Sequence, residues 1–340
     1  MNTKFMPSAL LLALGAALVG CGGNDKAATT TEANKQDAAA APAAGDLAEK
    51  QEIVINNSAE PESLDPHKVS GVPESNILRQ MLVGLTTTDT EGNTVPGMAT
   101  EWSSEDNKVW VFKLRDAKWS NGDPVTAHDF VYSFRRVVDP ATASPYATYL
   151  AGLKVVNAQD IVDGKVKPDT LGVKAIDDKT LEVTLAEPVP YFPHALFHTS
   201  VKPVNQKVVE ALGDQWTRVG NFVGNGPYTL KEWQVNERIV LERNPNYYDD
   251  ANTTINKVTL LVIGSDTTDV QRYKAGEVDI TADALPPTQF KQLQSELGDE
   301  VKVSPKLCTY YYEFNHTKAP FDDVRVRRAL SLVLDRDTIV

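Results

Sequence analysis

Cysteine is nearly absent: the 340 residues contain two, Cys21 and Cys308. That excludes a disulfide-dense scaffold and a multi-cysteine metal cluster. Positive charge is in deficit, with 34 Lys and Arg against 46 Asp and Glu and a formal charge of −12. A chain with this balance and no basic patch is not built to hold nucleic acid. Histidine is sparse, and its five copies (His67, His128, His194, His198, His316) fall in separate elements without metal-ligand spacing. Long apolar runs are lacking too. The uninterrupted one, Ala9 to Val19, is too short to span a bilayer. Enzyme signatures are missing: no Gly-x-Ser-x-Gly, no His-Glu-x-x-His, no Cys-x-x-Cys and no phosphate-cradling glycine loop. Gly224-Asn225-Gly226 is too short for a nucleotide site and reads as a tight turn before a strand. No catalytic residue, metal or cofactor is expected.

What is present begins at the N-terminus. Lys4 supplies a short positive region before the apolar run, which has the length of a signal-peptide core. It ends in Leu18-Val19-Gly20-Cys21, which resembles a bacterial lipobox, so residues 1–21 are expected to be a lipoprotein signal peptide and Cys21 the lipidated residue. Residues 22–51 are a mixture of Ala, Thr, Lys, Asp and Gln with almost no large apolar side chain. They cannot bury enough surface to offset ordering entropy and read as a disordered tether.

The body from about residue 52 mixes helix and strand signals. Glu52 to Asn56 alternates as a strand, and Pro73 to Asn76 opens a helix with Ile77, Met81 and Leu82 on its apolar face. Val109 to Leu114 is a strand, and Trp119-Ser120-Asn121-Gly122-Asp123-Pro124 a turn. Thr126 followed by Asp129 predicts a capping box on a helix over Ala127 to Val138. Leu171 to Ile176 and Leu181 to Leu185 form a hairpin around Asp177-Asp178-Lys179. Tyr228 to Leu230 pairs with Arg238 to Leu241, and Lys257 to Ile263 is a further strand. An amphipathic segment around Val270 and Tyr273 stops at Gly276 and leads at once into a strand. Cys308 to Phe314 alternates like an aromatic-rich strand. Asp322 opens a last helix, with Val326, Ala329, Leu330 and Val333 on one face. The chain stops at Val340 with no glycine cap, proline or polar tail, so the sequence is expected to continue beyond it. With Cys21 assigned to lipid, Cys308 is an odd thiol in an exported protein.

A series of motifs then resembles one family. Ser63-Leu64-Asp65-Pro66, Ala99-Thr100-Glu101-Trp102, Phe112-Lys113-Leu114-Arg115 and Lys118 to Ala127 come first, followed by Asp129-Phe130-Val131-Tyr132-Ser133. Gly226-Pro227-Tyr228 with Trp233, Arg243-Asn244-Pro245, and Arg272 to Asp279 complete the order. Together they resemble the extracytoplasmic oligopeptide-binding proteins of ABC importers, over residues 52–340. Gly71 to Asn76, Asp139-Pro140 to Tyr146, and Cys308 to Asn315 look like the oligopeptide branch of solute-binding family 5.

The resemblance implies a two-lobed, periplasmic-binding-protein-like α/β fold (type II) that closes on its ligand by a hinge. Residues 52–83 and 206–306 would form the first lobe and 84–205 an inserted α/β domain. Residues 307–340 would begin the second lobe. It implies a monomer that takes short peptides, delivers them to membrane permease subunits and is held outside the cytoplasm by its lipid. A binder of murein peptides, dipeptides, nickel or haem is the alternative within the family, and a surface interaction protein the alternative outside it. By position, Ser70, Gly71 and Val72 would offer backbone to the ligand, with Gly71 allowing close approach. Tyr146 would line a side-chain pocket, and Thr309, Tyr310 and Tyr311 would lie where the second lobe meets the ligand. Core packing is the competing reading for Tyr146, Tyr310 and Tyr311. Cys308 would pair with a cysteine beyond Val340. The carboxylate that holds the ligand's ammonium would also lie there, so residues 52–340 alone are expected not to retain peptides. Ser70 stands where relatives often carry an acid, which implies a weaker preference for basic peptide side chains.

Overall fold

The expected first strand forms as β1 (Glu52–Asn56), and what it pairs with sets the architecture. The computed structural model describes residues 47–304 and 311–339. Nine further strands follow: β2 (Thr86–Thr88), β3 (Thr94–Pro96), β4 (Ala99–Ser103), β5 (Val109–Leu114), β6 (Val173–Asp177), β7 (Thr180–Thr184), β8 (Tyr228–Gln234), β9 (Arg238–Arg243) and β10 (Lys257–Leu261). They build two four-stranded sheets, ordered β1-β10-β9-β8 and β4-β5-β7-β6, and the small pair β2-β3. β1 runs parallel to β10, and the other pairings are antiparallel. The first sheet joins a strand near the start of the described chain to three strands between residues 228 and 261. The second is assembled wholly from residues between that strand and those three.

Helix α1 (Val72–Met81) follows from its sequence. Pro73 sits in the first turn, Glu74 lies at the positive end and Arg79 at the negative end. Ile77, Leu78, Met81 and the following Leu82 are fully buried. Helix α2 (Ala127–Val138) forms with its predicted capping box, the Asp129 carboxylate accepting from the Thr126 N–H at 2.8 Å. Phe130, Phe134, Val137 and Val138 on its inner face are fully buried, and α2 packs on β6 and β7. Each such side chain contributes about 1.5–3 kcal/mol through burial.

The Gly224-Asn225-Gly226 turn does more than precede β8. Cβ atoms on Gly224 and Gly226 would lie 2.2 Å from the carbonyl oxygen and 2.5 Å from the carbonyl carbon of Met81. Only glycine admits this approach. Gly226 N–H donates to Met81 O at 2.9 Å, and buried Asn225 satisfies both backbone groups of Val83, at 2.9 and 3.0 Å. Lys202, also buried, donates from Nζ to Leu82 O at 2.6 Å. Three successive residues leaving α1 are thereby clamped.

Three expectations change. The segment after Gly276 makes a single bridge, Ile280 to Ile55, instead of a strand. Its backbone is held by three bonds, Asp279 N and Ile280 N to Val54 O and Asn56 N to Ile280 O, and then turns away. Tyr311 to Phe314 is irregular, because no described strand lies beside it, while Cys308 to Tyr310 falls outside the described residues. The helix expected after Asp322 spans Val324–Val333 with Asp323 as its N-cap and is followed by a separate short helix, Arg336–Ile339, but Leu330 and Val333 are 42% and 80% exposed. No described element covers the apolar face expected there. Ala48–Val340 form one compact unit; the run Ala9 to Val19 and Cys21 lie outside the described residues.

Candidate functional site

β1 leads through buried Asn56 and Asn57 toward α1. Asn56 accepts from Ile263 N–H at 3.1 Å and donates to Ile263 O at 3.0 Å, so it ties the end of β1 to the end of β10. Asn57 donates to Pro73 O at 3.2 Å, fixing the first turn of α1. Immediately before that turn, Gly71 is extended (φ −84°, ψ 159°). Ser70 is exposed, Val72 is 52% exposed, and the N–H groups of Ser70 and Gly71 have no partner among the described residues. An extended, solvent-facing segment with free donors is the geometry that accepts a ligand strand.

Beside it opens a cleft of about 830 Å³, walled by Val72, Asn76 and Arg79 of α1, by Asp279 to Asp283 and by Leu293 and Leu297. A second space of about 330 Å³ adjoins it, sharing Val72, Asn76, Arg79 and Ile280. Sequence reasoning missed Asn76 and Arg79. The signal was available, since positions 72, 76 and 79 share one helical face opposite Ile77, Leu78 and Met81. Asp279 and Asp269 shape the far wall by accepting from Val54 N–H at 2.7 Å and Ala282 N–H at 2.8 Å.

Tyr146 is half-buried in an aromatic cluster. Its ring meets His198 edge-on at 4.6 Å, and His198 stacks on Tyr149 at 4.5 Å. Tyr149 donates its hydroxyl to Ala195 O at 2.9 Å; burial, then Tyr146, push that hydroxyl up to about 12. Burial lowers the His198 pKa, and the charges of Arg79 and Lys202 lower it further. The next residue, Thr199, donates to Ser75 Oγ at 3.2 Å. Tyr146 is thus linked through 198–199 to the first turn of α1, which Ser70 to Val72 enter. Tyr311 is 67% exposed and joins neither group, and core packing does not describe it. Cys21, Cys308, Thr309 and Tyr310 lie outside the described residues.

Behind α1 lies a second polar group, in which Asp65 and His67 are buried and Arg136 is half-buried. Arg136 of α2 forks onto Asp65 at 2.8 and 2.6 Å and reaches His67 Nδ1 at 2.7 Å. His67 Nε2 faces Lys202 O at 3.2 Å. Burial is the dominant force pushing His67 down to about 4, so it is neutral, accepting at Nδ1 and donating at Nε2. Burial alone pushes the Asp65 carboxyl up, but the Arg136 hydrogen bonds and charge carry it below its usual value. Among the described residues no three His, Cys, Asp or Glu side chains converge as a metal site, and no helix is long and apolar enough to cross a membrane.

The family described as bacterial extracellular solute-binding proteins, family 5 middle, matches residues 93–340. The chain is 57% identical over 309 residues to the periplasmic oligopeptide-binding protein OppA of Salmonella typhimurium, covering 91% of this chain and 57% of that one. It is 46% identical over 300 residues to the periplasmic murein peptide-binding protein MppA of Escherichia coli, covering 88% and 56%. The crystal structure of Haemophilus influenzae OppA in complex with RPPGFSPFR superposes with a TM-score of 0.84 at 57% identity, over 86% of this chain and 57% of that chain. The periplasmic-binding-protein-like α/β fold expected from sequence is therefore present, and the chain spans just over half the length of these relatives.

Proposed function

Because the chain belongs to the bacterial extracellular solute-binding proteins of family 5, we propose that it captures oligopeptides outside the cytoplasm and hands them to the permease subunits of an ABC importer. One observation supports this most directly: at the mouth of the α1 cleft Gly71 is extended, Ser70 is exposed, and the N–H groups of both have no partner among the described residues. Peptides of every sequence share a backbone, so a general peptide carrier draws affinity from such strand-like bonds, each contributing about 0.5–1.5 kcal/mol net. Side chains then occupy roomy, hydrated spaces, a role that suits the cleft beside Val72 and the surface at Tyr146.

In this reading the sheet β1-β10-β9-β8 belongs to a first lobe of residues 52–83 and 206–306. The sheet β4-β5-β7-β6 belongs to an inserted domain of residues 84–205, and residues from about 307, including Thr309 to Tyr311, belong to the opposing lobe. The protein binds and releases its ligand unchanged, as a monomer, without metal or cofactor. Residues 22–51 tether it to lipid on Cys21. The resemblance to a murein peptide-binding protein supports a second reading, a narrower peptide ligand in the same site.

Native mass spectrometry of the full-length mature protein, purified from its own cells without unfolding, tests both. A spread of masses matching short peptides, lost on acid treatment, is the expected result. One discrete mass of a murein peptide would select the second reading, and a bound non-peptide or an empty protein would overturn both.

A further inference from the structure

On the side of the molecule formed by α2 and the 65–68 segment, a notch of about 340 Å³ is lined by Lys68, Tyr132, Arg135, Arg136, Asp139 and Thr142, among others. It shares no residue with the cleft beside Val72. Three cations and one carboxylate line it, in a chain whose overall charge is −12. The neutralisation of these cations is uneven. Arg136 is matched by Asp65, which holds it by two bonds. Lys68 meets Asp214 at 3.0 Å, but these side chains are 40% and 88% exposed, and such a pair contributes little. Arg135 has no carboxylate partner among the described residues. Its terminal nitrogen donates to the neutral carbonyl of Asp169 at 2.9 Å, and its Nε is buried with no acceptor at all. Asp139 does not supply the deficit: it makes no ion pair with Arg135 among the described residues, and one of its oxygens accepts from Ala141 N–H at 2.9 Å.

A partly buried guanidinium with an orphaned N–H and no counter-ion is an unfavourable arrangement in isolation. Tyr132 and Thr142 line the same notch, and their hydroxyls have no internal acceptor among the described residues. Cationic and neutral donors converge on a space too small for a peptide and open enough to admit a hydrated ion. We propose that this notch binds a small tetrahedral oxyanion, of the phosphate or sulfate class, with Arg135 and Lys68 as its principal cations and Tyr132 and Thr142 as hydroxyl donors. A dianion there supplies the charge that Arg135 lacks and makes charge-assisted bonds to several donors at once. It also bridges the 65–68 segment to the end of α2, joining parts of the chain that are distant in sequence.

Titration of inorganic phosphate and sulfate into the purified chain, by calorimetry at constant ionic strength set with sodium chloride, tests the assignment. Saturable binding near one equivalent is expected, with an unfolding midpoint that rises with phosphate. Arg135→Gln and Lys68→Gln should each weaken binding at least tenfold while leaving the circular dichroism spectrum unchanged. Lys68 is exposed, so its variant keeps the test valid should Arg135→Gln fold poorly. Heats equal to the chloride control, unchanged affinity in both variants, or acetate binding as well as phosphate would each overturn the proposal.

Discussion

A carboxylate oxygen of Glu74 lies 2.0 Å from the point where a side chain on residue 71 would begin. The space beside Gly71 is therefore filled by the protein's own acid. A side chain at 71 would have to displace the end of Glu74, whereas the backbone angles themselves (φ −84°, ψ 159°) are open to any residue. Glu74 is 4% exposed; its Oε1 accepts from Glu62 N–H at 2.8 Å, and its Oε2 has no partner. The acid joins the 60–62 turn to α1 and presses on the segment proposed to receive the ligand. Gly71→Ala should expel the carboxylate and leave the Glu62 N–H unpaired, a loss of about 1–3 kcal/mol. Adding Glu74→Ala should make the second change much less harmful than it is alone. Urea unfolding of the two single variants and the double variant measures this coupling, and strictly additive effects would rule the steric account out.

Asn225 replaces a strand partner for Val83 with a single side chain. It accepts from the Val83 N–H at 2.9 Å and donates to its carbonyl at 3.0 Å, all of it buried. Asn225→Ala strands both groups away from water and should destabilise by about 2–4 kcal/mol, the sum of two unmet bonds. Asn225→Asp keeps the acceptor but places a carboxylate against the Val83 carbonyl, and should be at least as harmful. Chemical denaturation measures both, and a loss below about 0.5 kcal/mol for Asn225→Ala would remove this clamp from the account.

Much of this architecture was legible in the sequence because it is written locally. The capping box at Thr126 and Asp129, the hairpin at Asp177 to Lys179 and the apolar face of α1 depend on neighbours a few residues apart. The failures lie where a partner elsewhere decides. The residues after Gly276 look like a strand, yet only Ile280 finds an edge to bridge. Tyr311 to Phe314 alternate correctly but have no described strand beside them. The Asp65–Arg136–His67 group joins residues 71 and 69 positions apart, and no spacing rule announces it. At the candidate site, Ser70 to Val72 were found through family resemblance. Asn76 and Arg79 were recoverable from helical periodicity, since they share with Val72 the face opposite Ile77, Leu78 and Met81, but polar residues on a helix face carry no local signal of a cleft.

The anchor is tested outside the folded body. If Cys21 carries lipid, Cys21→Ser should shift the protein from the membrane to the soluble fraction of the cell envelope and abolish incorporation of labelled fatty acid. The folded body is unaffected by that change, so peptide capture should persist. Unchanged membrane fractionation would count against lipidation and leave the tether without an attachment.

Burial of neutral His67 makes stability depend on pH with a definite sign. The unfolded side chain takes up a proton as pH falls through about 6.5, whereas the native one resists until about 4. Between those values the unfolded state binds more protons, so stability is lost as pH falls and the loss is complete below the native value. For a shift of this size the integrated change is on the order of 3 kcal/mol. Protonation also places a cation against Arg136, 2.7 Å away, and removes the acceptor that Arg136 uses. His67→Gln retains an acceptor and a donor but does not titrate, so its stability should change less between pH 6.5 and 5. The difference between the two proteins is the quantity to measure, by calorimetry across that window, because carboxylates common to both cancel. Parallel curves would mean that His67 reaches solvent and that the Asp65–Arg136 pair does not depend on its neutrality.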